Sequence, residues 1–279
     1  MTPSRISHPD APQGITPPEP HTSLPTFGLV VVGDELLSGR RKDSHIPKTI
    51  ELLGQRGLQL AYAHMVKDDR ARLTQLLQQL YASNDVVFCC GGIGATPDDH
   101  TRQAAAAAAG VALAMHDTAS NLITQRMQEQ ATQQGTHFDP QSPDHQQRLQ
   151  MALFPAGAEI IPNPYNRIAG FSLEHMHFFP GFPVMAHPMI AWVLDHFYTQ
   201  WHGQTDWAEH ALILPNASEA ALTPLMERIE AQWPNIKIFS LPSVNHPLYG
   251  AHIELGVKGP QATAAQAFAA LQQALLEMQ

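Results

Sequence analysis

Residues 85–101 read DVVFCCGGIGATPDDHT, an apolar run followed by a glycine-rich loop and two aspartates. The run up to Cys90 is apolar after its first residue, which is typical of a buried strand in a parallel sheet. The alanine-rich segment after the loop ends at Gly110, and Asp98 or Asp99 is expected to cap its start as a helix. Three glycines stand in the loop: Gly91, Gly92 and Gly94. The stretch therefore predicts a strand, a glycine loop and a helix in direct succession.

Two strand–helix units precede this stretch. The short apolar run Leu29–Val32 stops at Gly33, and the residues after it have helical spacing with Asp43 or Ser44 as the cap. A second strand, Leu58–Val66, leads through acidic residues to a helix with leucines on one face. Strands and helices that alternate at this spacing predict an α/β fold with a doubly wound, mainly parallel sheet.

The turns after these strands point to a ligand site. Ligands of parallel sheets bind at the carboxyl ends of the strands, and acid- or glycine-rich turns fall there at Gly33, Asp68 and Gly91. A glycine loop before a helix can present backbone N–H groups to a phosphate, although such loops also form turns without a ligand. Carboxylates beside an anion indicate a metal or N–H donors of a ligand. We therefore assign the helix cap to one of Asp98 and Asp99 and a ligand role to the other.

The chain is expected to form two folded units behind a tail. Residues 1–25 contain seven prolines and few apolar residues, which predicts a disordered tail. Residues 26–203 form the α/β unit, and residues 204–279 form a small α+β domain to which we assign packing or assembly. Further elements are predicted in the first unit: a helix at 121–130, a polar stretch with Pro140 and Pro143, a strand at 159–161, a hairpin at 171–179 and a helix at 185–198.

The charge balance limits the partners. The chain has a formal net charge of −9, whereas a nucleic-acid or anionic-membrane surface needs clustered basic residues, so neither partner is expected. No apolar run is long enough for a membrane span, and the start lacks a secretory segment. The adjacent Cys89 and Cys90 do not resemble a disulfide framework. A cytoplasmic location is the expectation.

His175 and His177 have the two-residue spacing that places side chains on one face of a strand. Such a pair could form half of a metal site. Because no third ligand stands nearby in the sequence, we interpret both as ordinary hairpin residues.

Four motifs carry a resemblance to a known family: VGDELLSG at 32–39, Asp43, the pair Asp68-Asp69, and GGIGATPDDHT at 91–101. Together they resemble the molybdopterin-binding (MoaB/MogA) domain as it occurs in competence/damage-inducible CinA proteins. The resemblance extends through residues 162–164, 170–171 and 180–183, and more faintly through the last part of the chain. The separate amidase domain of many CinA proteins has no counterpart, so deamidation of pyridine nucleotides is not implied.

The resemblance implies a site at the strand ends for a phosphorylated pterin or nucleotide. The glycine loop would hold phosphate, and the nearby aspartates would hold Mg²⁺ or the edge of the heterocycle. Asp98 and Asp99 are the candidate catalytic residues and Mg²⁺ ligands. The candidate ligand-binding residues are Gly33, Asp34, Ser38, Gly39, Asp43, Asp68, Gly91, Gly92, Gly94 and Thr96. Relatives in this family form dimers or trimers, so a homo-oligomer is expected.

Two reactions follow from the resemblance, and both attack a phosphoanhydride. One is cleavage of the pyrophosphate in ADP-ribose, which the CinA-like motifs favour, and the other is adenylyl transfer to molybdopterin. A non-catalytic binding module is the alternative from a different class. Four departures from the family pattern bear on that alternative: His45 for an Asn, Ala95 for a Pro, Asn166 for a Gly and Met185 for a Glu.

Overall fold

The computed structural model describes residues 24–204 and 207–278. The chain divides into two compact units, the first ending at Gln200 and the second beginning at Trp201. The predicted tail falls outside the described residues, except for Leu24 and Pro25. The packing or assembly role of residues 204–279 stays a prediction.

The described elements are as follows. The first unit contains β1 (Phe27–Val32), α1 (Asp34–Leu37), α2 (His45–Gly54), β2 (Leu60–Val66), α3 (Arg70–Ser83), β3 (Val86–Cys90), α4 (Thr101–Ala109), β4 (Leu113–Met115), α5 (Asp117–Gln134), α6 (Pro143–Leu149), β5 (Leu153–Pro155), β6 (Glu159–Ile161), β7 (Gly170–Leu173), β8 (Met176–Phe179) and α7 (Pro183–Phe197). The second contains β9 (Trp207–Pro215), α8 (Glu219–Gln232), β10 (Lys237–His246), β11 (Gly250–Pro260) and α9 (Gln261–Glu277). Single 3-10 turns lie at Gln150–Ala152 and Thr199–Trp201.

Six strands of the first unit form one sheet in the order β2-β1-β3-β8-β7-β6. The strands β2, β1, β3 and β8 run parallel, whereas β7 is antiparallel to both of its neighbours. Every residue of β1 and β3 is buried, which is why their sequences are apolar without alternation. The predicted α/β fold with a mainly parallel sheet is confirmed.

Helices cover both faces of this sheet. On one face Val30 belongs to a core that includes Leu73 of α3 and Ala104 of α4. On the other face α2 packs on β1 and α7 packs on β8, and the rings of Phe27 and Tyr198 meet edge-on at 5.6 Å. When helices cover both faces of a parallel sheet, ligands bind at the carboxyl ends of its strands. A functional site is therefore expected in the turns at those ends.

Three parts of the first unit differ from the sequence-based prediction. The polar stretch contains helix α6, because Ser142 caps it and Pro143 occupies its first position, where a proline is tolerated. The strands β4 and β5 pair antiparallel over three residues each, too short for a period to show. Helix α5 extends beyond the predicted 121–130 at both ends.

The second unit is a small α+β fold, as predicted. Its antiparallel sheet has the order β10-β11-β9, and α8 and α9 pack against it. Its core combines Leu225 and Leu271 of the helices with Leu255 of β11. Across both units, no helix in the described part of the chain is long and apolar enough to cross a membrane.

Candidate functional site

Four neighbouring parallel strands end at one edge of the large sheet. Their turns carry Asp68 after β2, Gly33 and Asp34 after β1, the glycine loop (residues 91–97) after β3, and Gly181 after β8. The Asp34 amide donates a 2.9 Å hydrogen bond to the Asp68 carboxylate, and this bond ties the first two turns together. We call this edge the strand-end site.

The glycine loop passes through space that a side chain would fill. Gly91 has φ +110°, and a Cβ there would collide with the carbonyl oxygen of Val32. Gly92 has φ +69°, and a Cβ there would collide with the hydroxyl of Thr101. The close approach to β1 and α4 therefore requires glycine at both positions.

The loop leaves backbone donors for a ligand. The Gly91 amide bonds to the carbonyl of Phe179, and the Thr96 amide bonds to the Asp99 carboxylate at 2.9 Å. Among residues 24–204 and 207–278, the amides from Gly92 to Ala95 have no acceptor. Consecutive amides of this kind are suited to an anion.

Neither Asp98 nor Asp99 caps α4, so that prediction is wrong. The helix begins at Thr101 with His100 at its N-cap position and without a side-chain cap. The Asp99 carboxylate turns back and accepts both the amide and the hydroxyl of Thr96, which fixes the loop. Asp98 is exposed, and the nearby Thr96 side chain lowers the pKa of its carboxyl group. Asp98 is therefore the aspartate of the pair that is open to a ligand.

Carboxylates crowd around Asp68. Partial burial raises the pKa of Asp68, and the charges of Asp34, Glu35 and Asp98 raise it further, while the Asp34 amide opposes the shift. These groups belong to three different strand ends, so the tertiary fold creates a local negative potential. Such a potential attracts a cation or the N–H edge of a heterocycle.

A magnesium ion fits this donor set in part. Carboxylate oxygens suit Mg²⁺, which is commonly held by one or two of them together with phosphate oxygens and water. In the described part of the chain, no three His, Cys, Asp or Glu side chains are placed to hold a metal together. Asp68 and Asp98, whose charges act on each other, would hold the ion with a phosphorylated ligand, whereas Asp99 is engaged with Thr96.

Three other predicted residues serve the local fold. Asp43 accepts the amides of His45 and Ile46 at 3.0 and 2.9 Å, and so does the work of the cap of α2. The Ser38 hydroxyl bonds to the carbonyl of Glu35, and Gly39 turns the exposed chain at φ +72°. Among the described residues, no hydrogen bond joins Ser38 or Gly39 to the glycine loop.

A family model described as "Probable molybdopterin binding domain" matches residues 28–199. The chain belongs to this family. A CinA-like protein of Anaeromyxobacter dehalogenans is 28% identical over 84% of this chain and 60% of its own length. Another CinA-like protein, from Citrifermentans bemidjiense, is 31% identical over 71% of this chain and 46% of its own length. This chain thus spans about half the length of these curated relatives.

A solved structure shares the fold of this molybdopterin-binding domain. The protein CinA of unknown function from Thermoplasma acidophilum has a TM-score of 0.52 and 23% identity, and the match covers 62% of this chain and 98% of that one. The residues of this chain that the family model matches, 28–199, include the whole strand-end site.

Two departures from the family pattern contact each other in this molybdopterin-binding domain. The Asn166 carboxamide oxygen accepts hydrogen bonds from the Asn163 side chain and the Ile168 amide, and its nitrogen lies 3.7 Å from the Met185 sulfur. Asn166 and Met185 therefore pack against each other, and this contact does not require a charged side chain at position 185.

His187 lies beside the site and contacts His45, although it was not among the residues singled out in the sequence. His45 Nε2 lies 3.1 Å from the Gly181 carbonyl, and its ring meets that of His187 edge-on at 5.2 Å. Burial lowers the pKa of both histidines. The departure at position 45 thus ties α2 to the turn after β8. Arg102, buried behind the loop, also escaped prediction because a lone arginine in an alanine-rich helix usually faces solvent.

Both histidines of the hairpin, which were interpreted as ordinary hairpin residues, are buried. The His177 ring is wholly buried and bonds to Ser172 and Tyr198 at 2.7 Å each. Burial lowers its pKa to about 3. His175 instead stacks edge-on with Tyr81, so the two rings do not converge on a metal.

Proposed function

We propose that the strand-end site binds a phosphorylated pterin or nucleotide and hydrolyses the pyrophosphate of ADP-ribose with Mg²⁺. The observation that carries this proposal is the placement of unpaired loop amides beside a group of carboxylates at one sheet edge. The amides suit phosphate oxygens, and the carboxylates suit a cation or the N–H groups of a heterocycle. The match to a family model described as a probable molybdopterin binding domain supports the choice of ligand class.

The chemistry assigns a role to each part of the site. One water adds across the P–O–P bond of ADP-ribose, and AMP and ribose 5-phosphate leave. The amides from Gly92 to Ala95 stabilise the charge that develops on the phosphoryl oxygens. Asp98, whose pKa is lowered, is ionised at neutral pH and orients the attacking water. Asp99 positions the loop through Thr96. Bound Mg²⁺ supplies further positive charge to the same oxygens.

A binding protein without turnover is the second candidate. It is favoured by His45 and Met185, which replace family residues next to the site with groups that are engaged in local contacts. The same site would serve adenylyl transfer to molybdopterin, the second of the two reactions that the resemblance implies.

The test is a double variant, Asp98→Asn with Asp99→Asn, assayed for Mg²⁺-dependent release of AMP. We expect a fall of at least about a hundredfold, because loss of one preorganised transition-state contact has that effect. Asp139→Asn is the matched control, since the exposed carboxylate of this residue accepts a local hydrogen bond from the Gln141 amide in its own turn. Circular dichroism checks the fold of each variant.

Ligand stabilisation separates the candidates. A binding protein would show no turnover as wild type, yet pterins or nucleotides would raise its melting temperature, and the double variant would weaken that rise. A wild type that neither turns over ADP-ribose nor is stabilised by these ligands contradicts both candidates.

A further inference from the structure

A second cavity borders the glycine loop. Its volume is about 430 Å³, and its wall is formed by the Ala95–Pro97 segment together with the start of α3, the start of α4 and helix α6. Two arginines line it, Arg70 and Arg102, and neither belongs to the strand-end site. A cavity of this size accommodates a small molecule.

Arg102 is a buried cation with incomplete pairing. The residue is 3% exposed, and one Nη donates a 3.0 Å hydrogen bond to the carbonyl of Ile93. Its Nε is buried without a partner. The charge of Asp99 acts on Arg102, and the Asp99 carboxylate accepts hydrogen bonds from Thr96. A buried guanidinium that lacks a bonded carboxylate is unfavourable unless an anion completes its hydrogen bonds.

Arg70 brings a second positive charge to the cavity. Its side chain is exposed, and within residues 24–204 and 207–278 it forms no ion pair. Against these two arginines the wall contributes one carboxylate, Asp99. The cavity wall is therefore positive in a chain whose formal net charge is −9.

We propose that this cavity binds a phosphate-type oxyanion, either inorganic phosphate or the phosphate group of a small molecule, between Arg102 and Arg70. The guanidinium fork matches phosphate oxygens, and both arginines line the cavity without a carboxylate bonded to them in the described part of the chain. The Gln147 side chain donates to the Ala95 carbonyl and holds the cavity wall against α6. The proposal goes beyond the strand-end site, because its two cations have no part in that site.

If the role of Arg102 were purely structural, the residue would only hold the Ile93 carbonyl through its hydrogen bond. The two roles differ in what they require of Arg70, which lines the cavity and takes no part in the hydrogen bond from Arg102 to Ile93. Arg70→Gln therefore tests anion binding without disturbing the hydrogen bond between Arg102 and the Ile93 carbonyl. Arg72→Gln is the matched control, because Arg72 is an exposed arginine on the same helix that does not line the cavity.

The experiment titrates the full chain with inorganic phosphate and with glycerol 3-phosphate at constant ionic strength, with glycerol as the neutral control. We expect saturable binding by calorimetry in the wild type and in Arg72→Gln, and an increase in Kd of about tenfold or more in Arg70→Gln. Arg102→Lys keeps the charge without the fork, and we expect it to weaken binding as well. Tighter binding of glycerol 3-phosphate than of phosphate would identify a phosphorylated small molecule as the ligand, and the reverse order would identify the free ion.

Absence of saturable binding in the wild type overturns the proposal. Equal affinities of wild type and Arg70→Gln also overturn it, because the anion then binds elsewhere, for example on the glycine loop. Asp98→Asn separates this result from the proposed function, since it alters the strand-end site and leaves the second cavity intact. Phosphate binding that survives Asp98→Asn and is weakened by Arg70→Gln supports the second cavity even if ADP-ribose is not hydrolysed.

Discussion

The two larger sheets of the described residues differ in what their turns touch. In the first unit, the turn at Gly91 is pressed against the backbone of β1. In the second unit, the hairpin turn at Gly250 also has a positive φ, but a Cβ there would meet nothing within 4 Å. The strands differ in the same way, since β3 is entirely buried and β10 has no fully buried residue.

This contrast shows how a site arises from packing. Parallel strands covered on both faces end side by side, so their turns are forced together and their polar groups meet. In the antiparallel hairpin, by contrast, a Cβ at Gly250 would enter open space. The following predictions test this difference.

The largest expected effect is that of Gly91→Ala compared with Gly250→Ala. We expect the first to lower the free energy of unfolding by about 3 kcal/mol or more, because strain at φ +110° adds to a backbone collision with Val32. The second should cost about 1 kcal/mol, the strain of the left-handed backbone alone. Urea denaturation measures both. Equal costs would mean that the glycine loop can move away from β1.

His177→Phe is expected to lower the free energy of unfolding by about 2 kcal/mol, because the buried Ser172 and Tyr198 hydroxyls lose their partner. His246→Phe in the second unit is the comparison, since its ring accepts the amides of Leu248 and Tyr249 at an exposed turn where water replaces it. We expect a cost below about 1 kcal/mol there. A smaller effect at His177 than at His246 would contradict the contrast.

The same variant predicts a pH dependence. The folded pKa of His177 is lowered to about 3, so below the ordinary value of 6.5 the unfolded chain binds a proton that the folded chain does not. Stability from this group is therefore present above pH 6.5 and is lost as the pH falls toward 3. We expect the stability difference between wild type and His177→Phe to shrink by about 1 kcal/mol per pH unit between pH 6 and 4. A constant difference in denaturation curves over this range would show that His177 is protonated in the fold.

The smallest effect is expected for Asp68→Asn. Because the folded pKa of Asp68 is raised, its contribution to stability is present below its unfolded pKa and is lost as the pH rises. The asparagine should therefore raise the free energy of unfolding at pH 7 by a few tenths of a kcal/mol, since solvent screens this half-exposed group. The gain should vanish near pH 3 and shrink with salt, as melting curves would show. If Mg²⁺ binds to Asp68, it would stabilise the wild type, so that Asp68→Asn would be the less stable protein when the ion is present.

Much of the fold was predictable because its signals are local. The apolar runs of β1 and β3 and the glycines after them need no knowledge of distant residues. Helix α6 was not predicted, although Ser142 and Pro143 form a recognisable helix start. The strands β4 and β5 are three residues long, and their pairing depends on contacts between segments that are far apart in sequence.

The site was predictable in its location and less so in its contacts. Asp34, Asp68 and the glycine loop come together at the predicted edge, whereas Asp43 caps a helix and Asp99 holds Thr96. A carboxylate in a turn can accept a local amide or face a ligand, and the sequence is the same in both cases.

By itself the sequence determined that a parallel sheet is formed and that its strand ends carry glycines and carboxylates, because hydrophobic runs and backbone requirements are properties of neighbouring residues. Only the tertiary structure decided which of those carboxylates act on one another and that Arg102 lies buried beside a second cavity. The physical reason is that electrostatic interaction and burial depend on distances in space between residues that the chain itself separates by dozens of positions.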